Sequence, residues 1–84
     1  MGYRVTFNKG VFKTLEKINE PYYSAIKTAI YSLADNPRPL GYKKLNGREG
    51  YRIRVGDYRI IYNIHDKVLV VEIIDLAHRR EIYG

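Results

Sequence analysis

The side chains of this 84-residue chain best suited to chemistry are arginines set around one tight turn. In Tyr51-Arg52-Ile53-Arg54-Val55-Gly56-Asp57-Tyr58-Arg59-Ile60-Ile61-Tyr62, apolar and polar residues alternate on both sides of Gly56-Asp57. Alternation with period two marks extended strands, and a two-residue turn joins them as a hairpin. Successive side chains of a strand face opposite ways, so Tyr51, Ile53 and Val55 share one face while Arg52 and Arg54 share the other. On the return strand Tyr58, Ile60, Tyr62 and Ile64 oppose Arg59, Ile61 and Asn63. The turn then pairs Val55 with Tyr58 and Arg54 with Arg59. Like charges set directly across a hairpin destabilise it by up to about 1 kcal/mol. An anion held between them, phosphate above all, removes that cost; the alternative is screening by Asp57, Asp75, Glu81 or solvent.

His78-Arg79-Arg80-Glu81-Ile82-Tyr83 adds two guanidiniums, an imidazole and an aromatic ring near the C-terminal end. If this tail runs beside the hairpin, its polar groups join Arg52, Arg54 and Arg59. That mixture suits RNA, because guanidiniums hold phosphates bidentately and an aromatic ring stacks on an unpaired base. Most tyrosines (Tyr3, Tyr22, Tyr51, Tyr58 and Tyr62) fall on apolar faces and are expected in the core, which singles out Tyr83 for stacking. His78 adjoins the basic cluster, and an imidazole titrates near neutrality; it is either a functional group or a surface residue. His65, at a strand end before Asp66-Lys67, is expected to be a surface residue. Paired carboxylates, a metal-ligand cluster and a Gly-rich phosphate loop are all missing, and Leu45–Gly50 is a turn too short for a nucleotide fingerprint. No metal and no cofactor is expected.

Charge supports the same surface. Fifteen Lys and Arg against nine Asp and Glu leave +6, and residues 36–60 alone carry +5. The basic residues there are Arg38, Lys43, Lys44, Arg48, Arg52, Arg54 and Arg59. Such concentration fits a polyanion partner, with Lys43, Lys44, Arg48, Arg52 and Arg80 as backbone contacts, or else a solvated face. The length allows one domain, residues 1–84, with one small core. The chain has no Cys, which removes disulfides, thiolate catalysis and Cys-bound zinc. No run reaches the roughly 18 apolar residues of a membrane span, and Met1–Lys9 lacks a signal-peptide stretch. A cytoplasmic protein with no membrane partner is expected.

The elements that must position these groups read as β-α-α-β-β-β. Tyr3–Phe7 alternates as a first strand, Asn8 offers an N-cap, and Val11, Phe12, Leu15 and Ile18 recur at helical spacing to about Asn19. Pro21 suits the first turn of a second helix with Tyr22, Ala25, Ile26, Ala29, Ile30 and Leu33 as its apolar stripe, closed by Asp35-Asn36-Pro37. Residues 36–50 form a loop, with a short strand near Lys43–Leu45. Tyr51–Val55, Tyr58–His65 and Val68–Ile74 follow as strands joined by two-residue turns, before a short piece from Asp75 to Gly84. The expected class is α+β, an antiparallel meander with the helix pair on one face.

The hairpin motif together with His78-Arg79-Arg80-Glu81-Ile82-Tyr83 resembles the RelE/ParE superfamily of type II toxins. Lys43-Lys44-Leu45 and Pro37 fit the same pattern, and the resemblance spans essentially the whole chain. It implies a RelE-like fold and a cognate antitoxin that wraps and neutralises the toxin, the complex commonly repressing its own operon at operator DNA. RelE-like members cleave mRNA in the ribosomal A site; ParE-like members poison DNA gyrase. Arg52, Arg54, Arg59, Arg79 and Tyr83 fall on the positions that RelE-like enzymes use, and this completeness favours the ribonuclease.

Cleavage by the 2′-hydroxyl needs a base at that hydroxyl, an acid at the leaving 5′-oxygen and positive charge around the phosphorane. By resemblance, Arg59 holds the scissile phosphate, Arg79 supports or protonates the leaving group and Tyr83 stacks on a base. One departure matters. The RelE position matching Arg54 carries Lys, proposed there as the general base, whereas arginine stays protonated at physiological pH. Either His78, alone or with Arg54, takes the proton, or catalysis rests on electrostatics and geometry, or the nuclease is weak. A gyrase inhibitor without catalysis and a plain nucleic-acid-binding module are the competing readings.

Overall fold

A computed structural model describes residues 2–80. The elements are β1 (Arg4–Phe7), α1 (Val11–Glu16), α2 (Tyr22–Ser32), β2 (Lys43–Lys44), β3 (Tyr51–Val55), β4 (Tyr58–His65) and β5 (Val70–His78). They build a five-stranded sheet in the order β1-β5-β4-β3-β2. β2 to β5 form an antiparallel meander. Gly56-Asp57 is the two-residue turn expected between β3 and β4. β4 and β5 are joined by the four residues 66–69 rather than by Asp66-Lys67, because His65 pairs with Val70 and Val68 and Leu69 stay exposed in the turn. β1 adds parallel to β5, with Arg4 opposite Val70 and Phe7 opposite Ile73, so the sheet is mixed. A parallel pairing needs a long connection, here supplied by the helices and the meander together.

The helix pair covers one face. Val11 and Leu15 from α1, with Ile26, Ile30 and Leu33 from α2, pack on Ile53, Ile60, Tyr62, Val71, Ile73 and Leu76 of the sheet. The spacings that predicted helices and strands are the spacings that fill this core. No helix among the described residues is long and apolar enough to cross a membrane.

Boundaries differ from the sequence expectation in four other places, each for a local reason. Gly10 at φ +86, not Asn8, is the N-cap of α1; Asn8 instead offers its main-chain carbonyl to the Val11 N–H at 3.1 Å. α1 stops at Glu16 and α2 starts after Pro21, where the Glu20 carboxylate accepts the Ser24 N–H at 3.1 Å and the Ser24 hydroxyl at 2.6 Å. Those bonds hold the Glu20 carboxyl below the usual carboxylate range. Tyr22 is 39% exposed rather than core; it leans on Tyr58 with ring centroids 5.5 Å apart. The last strand runs to His78 because a bulge at Ile74 lets pairing continue past the expected end.

Two polar ties dock the basic loop on the sheet. The buried Tyr62 hydroxyl donates to the Pro37 carbonyl at 2.7 Å, and burial pushes its pKa up. At the β4–β5 turn Asp66 accepts from Tyr3 at 2.6 Å and from Arg38 at 2.9 Å, which holds its carboxyl below the ordinary range, the Arg38 bond foremost. The path from loop to β2 is thereby fixed.

The β3–β4 turn is equally constrained. Gly56 has φ +58, and a Cβ there would come within 2.6 Å of Tyr22 Cε1. An L-residue in the left-handed region costs roughly 1–2 kcal/mol before any clash. Gly56→Ala is therefore expected to lower the thermal midpoint by several degrees, a shift an 84-residue domain shows for about 1 kcal/mol. A calorimetric scan matching the parent would show that the turn tolerates a side chain.

Candidate nucleic-acid interface

Strand pairing lays out the second face of the sheet, away from the helices, as two rows. β3 and β4 pair Arg54 with Arg59 across the turn, as the sequence requires. Ala77 of β5 stands beside Arg59, so the first row reads Arg54, Arg59, Ala77. The second row runs through Lys43, Arg52, Ile61 and Asp75, one residue from each strand β2 to β5. Neighbouring strands lie about 4.8 Å apart, which spaces the charges within each row.

A groove of about 560 Å³ opens over these rows. Lys43, Lys44, Arg48, Arg52 and Arg59 line it, with Asp75 as the one acidic lining residue among the described residues. Lys44 Nζ also stands 5.7 Å from the Tyr51 ring centroid. Arg59 is half-buried, and its Nε is fully covered with no acceptor from the protein. A buried donor left without an acceptor costs about 1–3 kcal/mol. An oxygen of a bound anion satisfies that donor. The small Ala77 beside it leaves room for one.

Of the other residues singled out from sequence, Arg54 is exposed beyond the end of the groove, toward the turn. Arg79 is drawn to that same turn: its N–H donates to the Asp57 carbonyl at 2.6 Å, and its guanidinium lies 3.8 Å from the Asp57 carboxylate. Arg80 is exposed, its N–H donating to His78 Nδ1 at 3.1 Å. Glu81 and Tyr83 lie outside the described residues. His65 is exposed and pairs with Glu72 at 2.9 Å, a surface role as expected.

His78 does not join the arginines. It pairs with Tyr58, and the two rings meet edge to face at 5.0 Å on the helix side of the sheet. There it lines a separate hollow with Tyr22, Leu76, Lys17 and Asn19. The cause is the bulge. Ile61 pairs with Asp75 but Tyr62 pairs with Ile73, so Ile74 is the extra residue of β5. An extra residue resets the alternation, and bulges commonly re-aim side chains in this way. Val71 and Ile73 face the helices, then Leu76 and His78 do, while Asp75 and Ala77 turn to the arginine face. Sequence reasoning raised Asp75 only as a screening charge. The phase shift from Val71 and Ile73 to Leu76 was its signal.

No group of three or more His, Cys, Asp or Glu side chains among the described residues is arranged to hold a metal ion.

Comparison with known proteins agrees with this geometry. Residues 5–83 match the family described as ParE toxin of type II toxin-antitoxin system, parDE. Toxin RelE of Mycobacterium tuberculosis is 34% identical over 83 residues, covering 96% of this chain and 86% of the relative. The archaeal RelE–RelB complex from Pyrococcus horikoshii superposes with a TM-score of 0.83 at 34% identity, covering 94% of this chain and 97% of that one. The isolated Escherichia coli RelE toxin gives 0.78 at 26% identity, with 96% and 90% covered. With its β-α-α-β-β-β order, its basic hairpin and these matches over nearly its full length, the chain belongs to the RelE/ParE superfamily of type II toxins.

Proposed function

We propose that this toxin is a ribosome-dependent endoribonuclease that cuts mRNA in the A site by attack of a 2′-hydroxyl on the adjacent phosphate. The observation that carries this reading is the buried, acceptor-less Nε of Arg59 at the floor of a groove with four further cations. Arg59 holds the scissile phosphate, and Arg52, Lys43, Lys44 and Arg48 track the strand on either side. Preorganised donors of this kind stabilise the charge that grows on the phosphorane. Arg79, anchored at the turn beside Arg54 and Arg59, supports the leaving 5′-oxygen. Arg54 adds charge, Arg80 contacts the backbone and Tyr83 stacks on a base. No metal takes part in this scheme.

The partner is a cognate antitoxin, supported by the RelB-bound state of the Pyrococcus horikoshii relative. Together the two bind operator DNA. A second reading, a ParE-like gyrase inhibitor, is favoured by the name of the matching family.

Purified toxin added to ribosomes programmed with a defined mRNA decides between them. The expected result is a cut within the A-site codon, leaving an upstream fragment with a 2′,3′-cyclic phosphate, slowed by Arg79→Ala and by Tyr83→Ala. Intact mRNA together with accumulation of gyrase-cleaved DNA overturns the ribonuclease and establishes the second reading.

A further inference from the structure

We infer that Asp75 is the general base of the cleavage, the group that takes the proton from the attacking 2′-hydroxyl; this rests on the ribonuclease reading above. A base is required, and the candidates raised from the sequence that lie among the described residues do not supply one on the right face. Arginine remains protonated at physiological pH, which removes Arg54, Arg52 and Arg59. His78 stands on the helix side of the sheet against Tyr58. Lys43, Lys44 and Arg48, the other charged groups of the groove, are cationic side chains. Asp57 belongs to the turn, beside Arg79, and does not line the groove. Asp75 does.

Its position fits the task. Asp75 sits opposite Ile61, and Arg59 sits opposite Ala77, so the two are diagonal neighbours on adjacent strands. Diagonal residues lie about 7–8 Å apart at the backbone, with long side chains converging between them. A phosphate held by Arg59 places the ribose that carries it on O3′, the one whose 2′-hydroxyl attacks, within reach of the carboxylate. Asp75 Oδ1 accepts the Leu76 N–H at 2.8 Å, which fixes the rotamer. A carboxylate has acceptor capacity beyond that one bond. The extra residue at Ile74 sets this side chain on the groove face rather than on the core face.

The charge argument points the same way. In a groove that only bound RNA, a carboxylate among five cations would repel the phosphates it is meant to hold. In a groove that cuts RNA, the same carboxylate has a proton to accept. The step balances without a further reactant. The O2′–H proton passes to Asp75, the freed electron pair forms the O2′–P bond, and the P–O5′ bond breaks. The O5′ atom takes a proton from solvent beside Arg79. Asp75 then returns its proton to water, leaving a 2′,3′-cyclic phosphate and a 5′-hydroxyl.

Single-turnover cleavage on programmed ribosomes tests the assignment with Asp75→Asn, Asp75→Glu and Glu72→Gln beside the parent. Asparagine keeps an oxygen for the Leu76 N–H but cannot take the proton. Asp75→Asn is expected to lose about 10²- to 10⁴-fold in rate, the usual contribution of a positioned base. Its binding to ribosomes carrying mRNA 2′-O-methylated at the cut site should be no weaker than the parent's. Asp75→Glu should retain part of the rate, and Glu72→Gln, a carboxylate of the same strand paired with His65 outside the groove, should stay within a few-fold of the parent. Cleavage by Asp75→Asn at the parent rate, or a loss matched by an equal loss of binding, overturns the inference and leaves the ribonuclease intact. A parent that leaves mRNA uncut overturns the ribonuclease reading and this base with it. Circular dichroism checks the fold, and if Asp75→Asn does not fold, Asp75→Ser is judged by the same two outcomes.

Discussion

Arg59→Leu is expected to lower single-turnover cleavage by about 10²- to 10³-fold, the typical loss when one preorganised donor to a developing oxyanion is removed. The same substitution should leave the thermal midpoint unchanged or raise it. Both halves follow from one geometry. Arg59 faces Arg54 directly across the hairpin, and its Nε is buried without an acceptor. The repulsion costs up to about 1 kcal/mol and the orphaned donor about 1–3 kcal/mol. Leucine removes both while keeping the aliphatic bulk that the arginine stem lays on the sheet. Lysine is no substitute, since it offers a point charge where the site presents a planar fork. Activity and stability thus move in opposite directions, which separates a binding group from a structural one. A variant that melts earlier yet cuts normally would mark Arg59 as scaffold and move the phosphate elsewhere.

The hairpin behind this prediction was legible because its signals are local. Two residues of turn fix the register, and the register fixes which side chains meet, so Arg54 and Arg59 could be paired from the sequence alone. Tyr62 and the helical stripe of Ile26, Ile30 and Leu33 were equally legible, because period and burial coincide. What was lost is non-local or out of phase. The parallel docking of β1 on β5 depends on a connection through most of the chain, and no turn encodes it. The extra residue at Ile74 breaks the alternation from which faces were being read. The last strand was expected to end there, so the faces of Asp75 and His78 went unread; His78 was set with the arginines by its place next to Arg79 and Arg80, and Asp75 stayed a screening charge. Tyr22 misled for another reason: it lies on the apolar stripe but at the first turn of α2, where the helix overhangs the hairpin rather than the core.

Deleting Ile73 and Ile74 together should do far more damage than deleting Ile74 alone. Without Ile74, Val71 and Ile73 still face the helices, and plain alternation then sets Asp75 outward, Leu76 inward and Ala77 outward, the faces they already hold. Without both residues Asp75 follows Glu72, so alternation from Val71 turns Asp75 and Ala77 toward the helices and Leu76 out. The core then loses Ile73, which is 0% exposed, and uncovers Leu76, which is 4% exposed. Each such side chain is worth about 1.5–3 kcal/mol. Turning the Asp75 carboxylate into the apolar core costs several kcal/mol more. A domain of this size has about 5–15 kcal/mol in total, so the double deletion is expected to leave the chain largely unfolded at physiological temperature. The single deletion keeps both rows of the groove, and should melt within several degrees of the parent and still cut. Melting curves of the two variants, read together, test whether the spacing from Val71 to Asp75 sets the face of β5. A double-deletion variant that folds and cuts as the parent does would mean that β5 recovers its register from the Leu76 end, and that the aim of Asp75 is set by core packing rather than by that spacing.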